Sequence, residues 1–218
     1  MTLAFDPNSD FADVADRQQN VTLSRPGTSD AWNLSRAVRS SVRASEARAS
    51  GGKYTEEDVV WHLDATEWDD SPRPGDVILE ANSHRWTVLT ARRTSTGRWR
   101  CVCRDLAIEH GLDQYIDIEV ATLSKDAAGA ESVAWRPWRT GVRARVQPVR
   151  STIDNDHDQT AFRRTLEIYT ADQLTIDHTH RIKTPDGMVY RVVGCRNAER
   201  IDALVEIEVE QEGLGTGD

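Results

Sequence analysis

Period-two alternation of apolar and polar residues recurs along most of this chain and predicts one strand after another. "VTLSR" (21–25) alternates and stops at Pro26-Gly27, a turn pair. "SSVRAS" (40–45) and "GVRARVQPV" (141–149) alternate apolar residues with arginine, the pattern of half-buried strands. "DVVWHLDA" (58–65) and "RRTLEIYTA" (163–171) are β-branched or aromatic runs of strand length. "GDVILEANSHRWTVLTARR" (75–93) reads as strand, tight turn, strand. "HRIKTPDGMVYRVVGC" (180–195) reads the same way, and its Pro-Asp-Gly supplies a mechanism: Pro185 presets φ and Gly187 accepts a positive φ. "RWRCVCRDL" (98–106) and "DALVEIEVEQ" (202–211) alternate strictly.

The strands repeat. "EANSHRWTVLT" (80–90) aligns without a gap on "TPDGMVYRVVG" (184–194), so Trp86 falls on Tyr190, Val88 on Val192 and Leu89 on Val193. Arg92 falls on Arg196, and Cys101 and Cys103 fall on Val205 and Ile207. Upstream, "TLSR" (22–25) matches "TLSK" (122–125), and "SVRA" (41–44) matches "GVRA" (141–144), at an offset of 100. Order, spacing and inside–outside phase persist, which points to tandem duplication. Two copies are too few for a solenoid, so each half is expected to close as its own small barrel or sandwich. The predicted fold class is mainly β: two tandem small β-barrel or sandwich modules of similar topology, with little helix. The predicted organisation is an acidic N-terminal arm (1–20), copy one (21–108), a linker (109–120), with a helical turn somewhere in "LAIEHGLDQYIDIEV" (106–120), copy two (121–211) and a flexible tail (212–218).

Composition narrows the function. A net charge of −9 and a pI near 5.2 argue against a basic nucleic-acid-binding domain. Three cysteines make no disulfide framework and fit reduced thiols in a cytoplasm. No apolar run reaches the length of a membrane span, and the acidic N-terminal stretch is unlike a signal peptide. Cys101 and Cys103 share one strand face and read as buried small apolar residues. His178 and His180 could share a strand face, but no third ligand is indicated, and no metal or cofactor is expected. "DNDHD" (154–158) alternates acids like the start of a calcium loop but lacks that loop's glycine and distal glutamate. It is read as an acidic loop tip. No nucleophile elbow, phosphate-binding loop or dinucleotide fingerprint is present, so no catalytic residue is assigned and the protein is not expected to be an enzyme.

Charge is unevenly distributed. Residues 54–80 hold nine acids against Arg73, whereas residues 81–104 hold six arginines and no acid. Arg98, Arg100 and Arg104 share a strand face in copy one, and Glu206, Glu208 and Glu210 occupy the corresponding face in copy two. These opposite charges predict head-to-tail pairing of successive chains into a homo-oligomeric ring.

The second half, through "GVRARVQPV", "RTLEIYTADQLTIDHTHRIKTPDGMVYRVVG" and "IDALVEIEVEQ", resembles the head-closure proteins of long-tailed phages, also called head–tail joining or stopper proteins. The elements are Ala144 to Pro148, Leu166 to Tyr169, His180 to Ile182, Asp186 to Val193 and Leu204 to Glu210. Copy one carries the pattern more weakly, and family members are usually single-domain. The resemblance implies a virion protein in the head–tail neck, made in the host cytoplasm and assembled as a ring beneath the portal and adaptor. Its partners would be those proteins, the tail, and genome DNA passing through without sequence-specific binding, with no membrane. It also implies a channel loop at Ser151 to Gln159, containing Asp154, Asn155, Asp156, His157 and Asp158, with Ala47 to Tyr54 in the same role in copy one. An acidic loop there would repel phosphate from the wall. Two other readings stand: a tail terminator or other neck protein, favoured by substantial helix, and a soluble tandem module binding glycan or protein through Trp61, Trp68, Trp135 and Trp138.

Overall fold

A computed structural model describes residues 17–68, 70–125, 131–156 and 159–211. Most of the expected N-terminal arm and all of the expected tail therefore lie outside the described residues. The chain divides into two compact units, one of residues 1–109 with 200–202, the other of residues 110–199 with 203–218.

The first module contains β1 (Gln19–Ser24), β2 (Ala31–Ser41), α1 (Ala44–Ala49), β3 (Val59–Asp64), β4 (Val77–Glu80), β5 (Arg85–Arg93), β6 (Arg98–Arg104) and α2 (Leu106–Glu109). The second contains β7 (Gln114–Lys125), β8 (Glu131–Asp156), β9 (Gln159–Thr170), β10 (His180–Lys183), β11 (Val189–Arg196) and β12 (Val205–Gln211). Each set closes into an antiparallel barrel, β1-β2-β3-β6-β5-β4 and β7-β8-β9-β12-β11-β10. Adding six to every label of the first order gives the second. Both barrels are closed by hydrogen bonding, which removes the free sheet edges along the closed part.

The duplication is visible in the register. Ile78 pairs with Trp86 across β4–β5, and Ile182 pairs with Tyr190 across β10–β11. A bulge follows between Val88 and Thr90 in one copy and between Val192 and Gly194 in the other. The 104-residue offset thus holds through the hairpin that follows β4 and β10. It fails elsewhere. Val88 pairs with Cys103 and Val192 with Val209, so Cys103 corresponds to Val209 and Cys101 to Ile207, two residues beyond the expected match. Inside–outside parity survives because the slip is even. Leu23 faces Ile78 as Ile118 faces Ile182, so Leu23 corresponds to Ile118, and "TLSK" is not the counterpart of "TLSR". Leu23 is fully buried whereas Leu123 is 74% exposed. Val42 and Val142 differ likewise: Val142 lies in the second barrel's core, and Val42 packs with Val60 and Val102 in a separate small cluster outside the first barrel's core.

The first core gathers Leu23, Leu34, Trp61, Leu63, Ile78 and Val88 with the two cysteines of β6. The second gathers Ile116, Ile118, Leu166, Ile168, Ile182 and Tyr190 with the apolar face of β12. Gly187 has φ +81, the left-handed value that the Pro-Asp-Gly turn requires.

Two boundaries differ from the sequence expectation. "SSVRAS" is not a strand throughout: β2 ends at Ser41, and "ASEARA" is helix α1, built from good helix formers with Glu46 in the first turn and Arg48 in the last. Residues 109–120 are not mainly a linker either. After the helical turn of α2, β7 begins at Gln114 and supplies Ile116 and Ile118 to the core.

Candidate assembly surfaces

The arginines assigned to a basic face are held inside their own module. Arg104 donates Nε and Nη2 to the two carboxylate oxygens of Asp58, both at 2.8 Å, and the Asp58 side chain is 1% exposed. This partner raises the Arg104 pKa further. Arg98 is 1% exposed, donates to the carbonyls of Arg36 and His62, and sits 3.9 Å from Asp64. Burial pulls its guanidinium pKa down while the Asp64 charge opposes that shift. Arg100 donates to both oxygens of Glu46 at 2.7 Å and so ties α1 to the barrel wall. A face offered to another chain must be exposed, and these three side chains are spent on internal acids.

The acid-rich segment 54–80 has the same explanation. Its Asp58 and Asp64 meet arginines of β6, Asp76 meets Arg25, and Glu80 meets Arg39 at 2.7 Å. Arg25 also bonds Asp70 at 2.7 Å, and this bond above all holds the Asp70 carboxyl down at about 2. Blocks of opposite charge that are separate in sequence are adjacent once the strands pair.

The acidic face of β12 is at the surface. Glu206, Glu208 and Glu210 alternate with the buried Val205, Ile207 and Val209. Arg196 reaches Glu206 at 2.8 Å and Arg191 reaches Glu210 at 2.6 Å. Glu208 is exposed and lies directly opposite Glu167 of β9.

The expected channel loop is a ribbon. Asp154, Asn155 and Asp156 are the end of β8 and pair with Ala161, Thr160 and Gln159 of β9, while His157 and Asp158 lie outside the described residues. The missed feature is the length of β8, 26 residues against 11 in β2. Its copy-one counterpart, Ala47 to Tyr54, is the end of α1 and a turn in which the Ser50 hydroxyl accepts the Tyr54 N–H.

A second ribbon joins β7 to β8. Among the described residues, β8 up to Arg143 pairs only with β7, and β7 pairs with β10 only from Asp117 to Val120, with one further bond at Ala121. Tyr115, Leu123, Val133, Trp138 and Val149, all large and exposed, lie on these two strands. Trp135 stacks on Arg181 at 4.4 Å, and Trp138 meets His180 edge-on at 5.0 Å. Of the four proposed tryptophan anchors, Trp61 and Trp68 are buried in the first core. Residues 132–153 of β8 carry five arginines and no acid, a composition shared with residues 81–104 of the first module.

Cys101 and Cys103 are fully buried and unpaired by disulfide, and burial pushes the Cys101 thiol up to about 12 and that of Cys103 up as well. The His180 ring contacts the Asp177 carboxylate at 3.0 Å. Among the described residues no three His, Cys, Asp or Glu side chains come together as a metal site. No helix among them is long and apolar enough to cross a membrane.

No protein-family model matches the chain, and no curated protein matches it. Among solved structures, the chain is similar to one from a structure described as "Virion of native gene transfer agent (GTA) particle", with 14% identity and a TM-score of 0.36. The match covers 47% of this chain and 96% of that one.

Proposed function

We propose that this chain is a non-catalytic structural protein of a phage-type virion, a head-closure component that joins the DNA-filled head to the tail as a ring under the portal and adaptor. The observation that carries the reading is the coincidence of the head-closure-like pattern with five of the six strands of one barrel. Ala144 to Pro148 lie in β8, Leu166 to Tyr169 in β9, His180 to Ile182 in β10, and Asp186 to Val193 form the turn into β11 and most of that strand. Leu204 to Glu210 lead into and run along β12. Five consecutive motif elements thus fall on five consecutive strands. The first module repeats the same strand order, which supports a doubled member of such a family. The two helices among the described residues, of six and four residues, give little support to an α+β tail terminator. Burial of Trp61 and Trp68 removes half of the anchors that a glycan-binding pair would use.

The test is quantitative peptide mass spectrometry on purified DNA-filled particles from the producing host. The expected result is a few copies per particle in fixed proportion to the portal. Absence from intact particles would overturn the proposal.

A further inference from the structure

The second module carries two exposed surfaces of opposite character. One is the β7–β8 ribbon and its continuation along β8. Arg136 and Arg139 are exposed there beside Trp138, and Leu123 and Val133 stand on the paired strands at 74% and 56% exposure. The acids of β7 nearest this stretch are already engaged: Glu119 holds Arg181 at 2.6 Å, and Asp117 accepts the Gly141 N–H at 2.9 Å. The ribbon is therefore positive and partly apolar, with arginine and tryptophan as its prominent side chains. That pairing is typical of the central part of a protein interface. A two-stranded ribbon of this kind is marginal in water by itself, and among the described residues β8 up to Arg143 and β7 beyond Ala121 pair with no further strand.

The other surface is the outer face of β12. Glu208 directly faces Glu167, whose carboxylate accepts the Tyr169 hydroxyl at 2.6 Å; the like-charged pair is destabilising, and a cation brought between the two carboxylates would relieve it. Glu206 and Glu210 flank the pair, each with an arginine of β11 already at its side. With Arg145, which lies over the Tyr169 ring opposite Glu206, three arginines stand against the four glutamates.

We propose that the occupant of the β7–β8 ribbon is the β12 face of a second copy of this chain, with Arg136 and Arg139 directed to the Glu167–Glu208 pair. The inference rests on the reading of the chain as an assembling virion component, and it gives that assembly a contact. The two surfaces are different patches on the same module, so the contact is head-to-tail and propagates from copy to copy, closing into a ring where the rotation permits. Charge complementarity selects the partner and the register, and the exposed apolar side chains of the ribbon supply the area that excludes water.

The experiment uses the full chain in solution, with sedimentation velocity over a range of concentrations at low and high salt. Wild type is expected to self-associate as concentration rises, less so at high salt because the contacts are screened. The variant Arg136→Glu/Arg139→Glu and the variant Glu206→Arg/Glu208→Arg should each associate at least about tenfold more weakly. An equimolar mixture of the two variants should recover association, since each reversed surface then finds an opposite partner. That recovery also excludes misfolding as the cause of the separate losses. Undiminished association by either variant, or a monomeric wild type at every concentration, overturns the inference. Salt-sensitive binding of duplex DNA by a monomeric wild type, lost in the ribbon variant, would assign the ribbon to phosphate and overturn it as well. The two proposals fail separately: a chain counted in particles but monomeric alone loses only this contact, and one that associates but is absent from particles loses only the virion role.

Discussion

Replacing Asp58 by alanine should unfold the first module under conditions that leave the second intact. The side chain is 1% exposed and accepts two hydrogen bonds from Arg104 and a third from the Thr55 N–H at 2.8 Å. Its removal strands a guanidinium whose side chain is 11% exposed, near the Lys53 carbonyl at 3.4 Å. Breaking a buried pair from one side costs about 3–5 kcal/mol, because the remaining charge loses both water and partner. A domain has only about 5–15 kcal/mol in total, so this loss is a large fraction of the module's stability. Urea unfolding followed by tryptophan fluorescence is the assay, since five of the seven tryptophans precede residue 110. With a urea slope near the middle of the usual range, the midpoint of that transition should fall by roughly 2 M. The double variant Asp58→Leu/Arg104→Met should lose less than Asp58→Ala, because no unpaired charge is left behind. A loss below about 1 kcal/mol in the single variant would mean that the pair behaves as an exposed one, and the assignment of Arg104 to the module's interior would be wrong.

Equivalent core positions should respond alike but in different modules. Ile78→Ala and Ile182→Ala each remove a fully buried side chain and should each cost about 2–5 kcal/mol, the first shifting only the tryptophan-reported transition and the second only the other, seen by far-ultraviolet circular dichroism. Both transitions moving together in either variant would refute independent barrels. Alkali should weaken the first module. Cys101 titrates near 12 when folded and near 9.0 otherwise, so the folded state keeps a proton that the unfolded chain releases; stability is whole below about pH 9 and falls as pH rises towards 12. That fall should be smaller in Cys101→Val, measured as the urea midpoint against pH, and an equal fall in both proteins would refute the burial argument.

Strand content and the β4–β5 and β10–β11 hairpins were legible in the sequence because alternation and turn chemistry act locally. The pairing of Ile78 with Trp86, of Ile182 with Tyr190, and the shared bulge are what a gapless 104-residue match encodes. The upstream half of the repeat was misread for an equally physical reason. Four-residue matches such as "TLSR" and "TLSK" carry no information on which strand they face, whereas correspondence between barrels is fixed by partners: Leu23 and Ile118 face equivalent isoleucines and share no local sequence. The basic face failed because alternation gives parity, not exposure. Arg98, Arg100 and Arg104 do share a strand face, but α1 covers part of it through Glu46, and Asp58 and Asp64, from the two ends of the β3 segment, meet Arg104 and Arg98. The ribbons were missed because a strand that outruns its barrel is still alternating, and an acid-free run such as 132–153 also occurs at 81–104, in strands that stay within their barrel.

The two copies have put the same strand order to different uses, and the distribution of charge shows how. Every buried charged side chain among the described residues, from Asp58 to Asp105, belongs to the first module, whose short connections and α1 close over ion pairs. In the second module no aspartate, glutamate, lysine or arginine is buried among the described residues; the corresponding connections are drawn out into ribbons, and the charges stand at the surface. Buried pairs of the first kind add little net stability over apolar replacements, but each can be satisfied in only one register. Surface charges of the second kind stabilise their own barrel still less, and their effect is on encounter with another molecule. A duplicated barrel under a single demand would keep both copies alike. The divergence here follows if the first module is held to one internal arrangement while the second is left open to a partner, which is why the assembly contact is sought on β7, β8 and β12 and not on the arginines of β6.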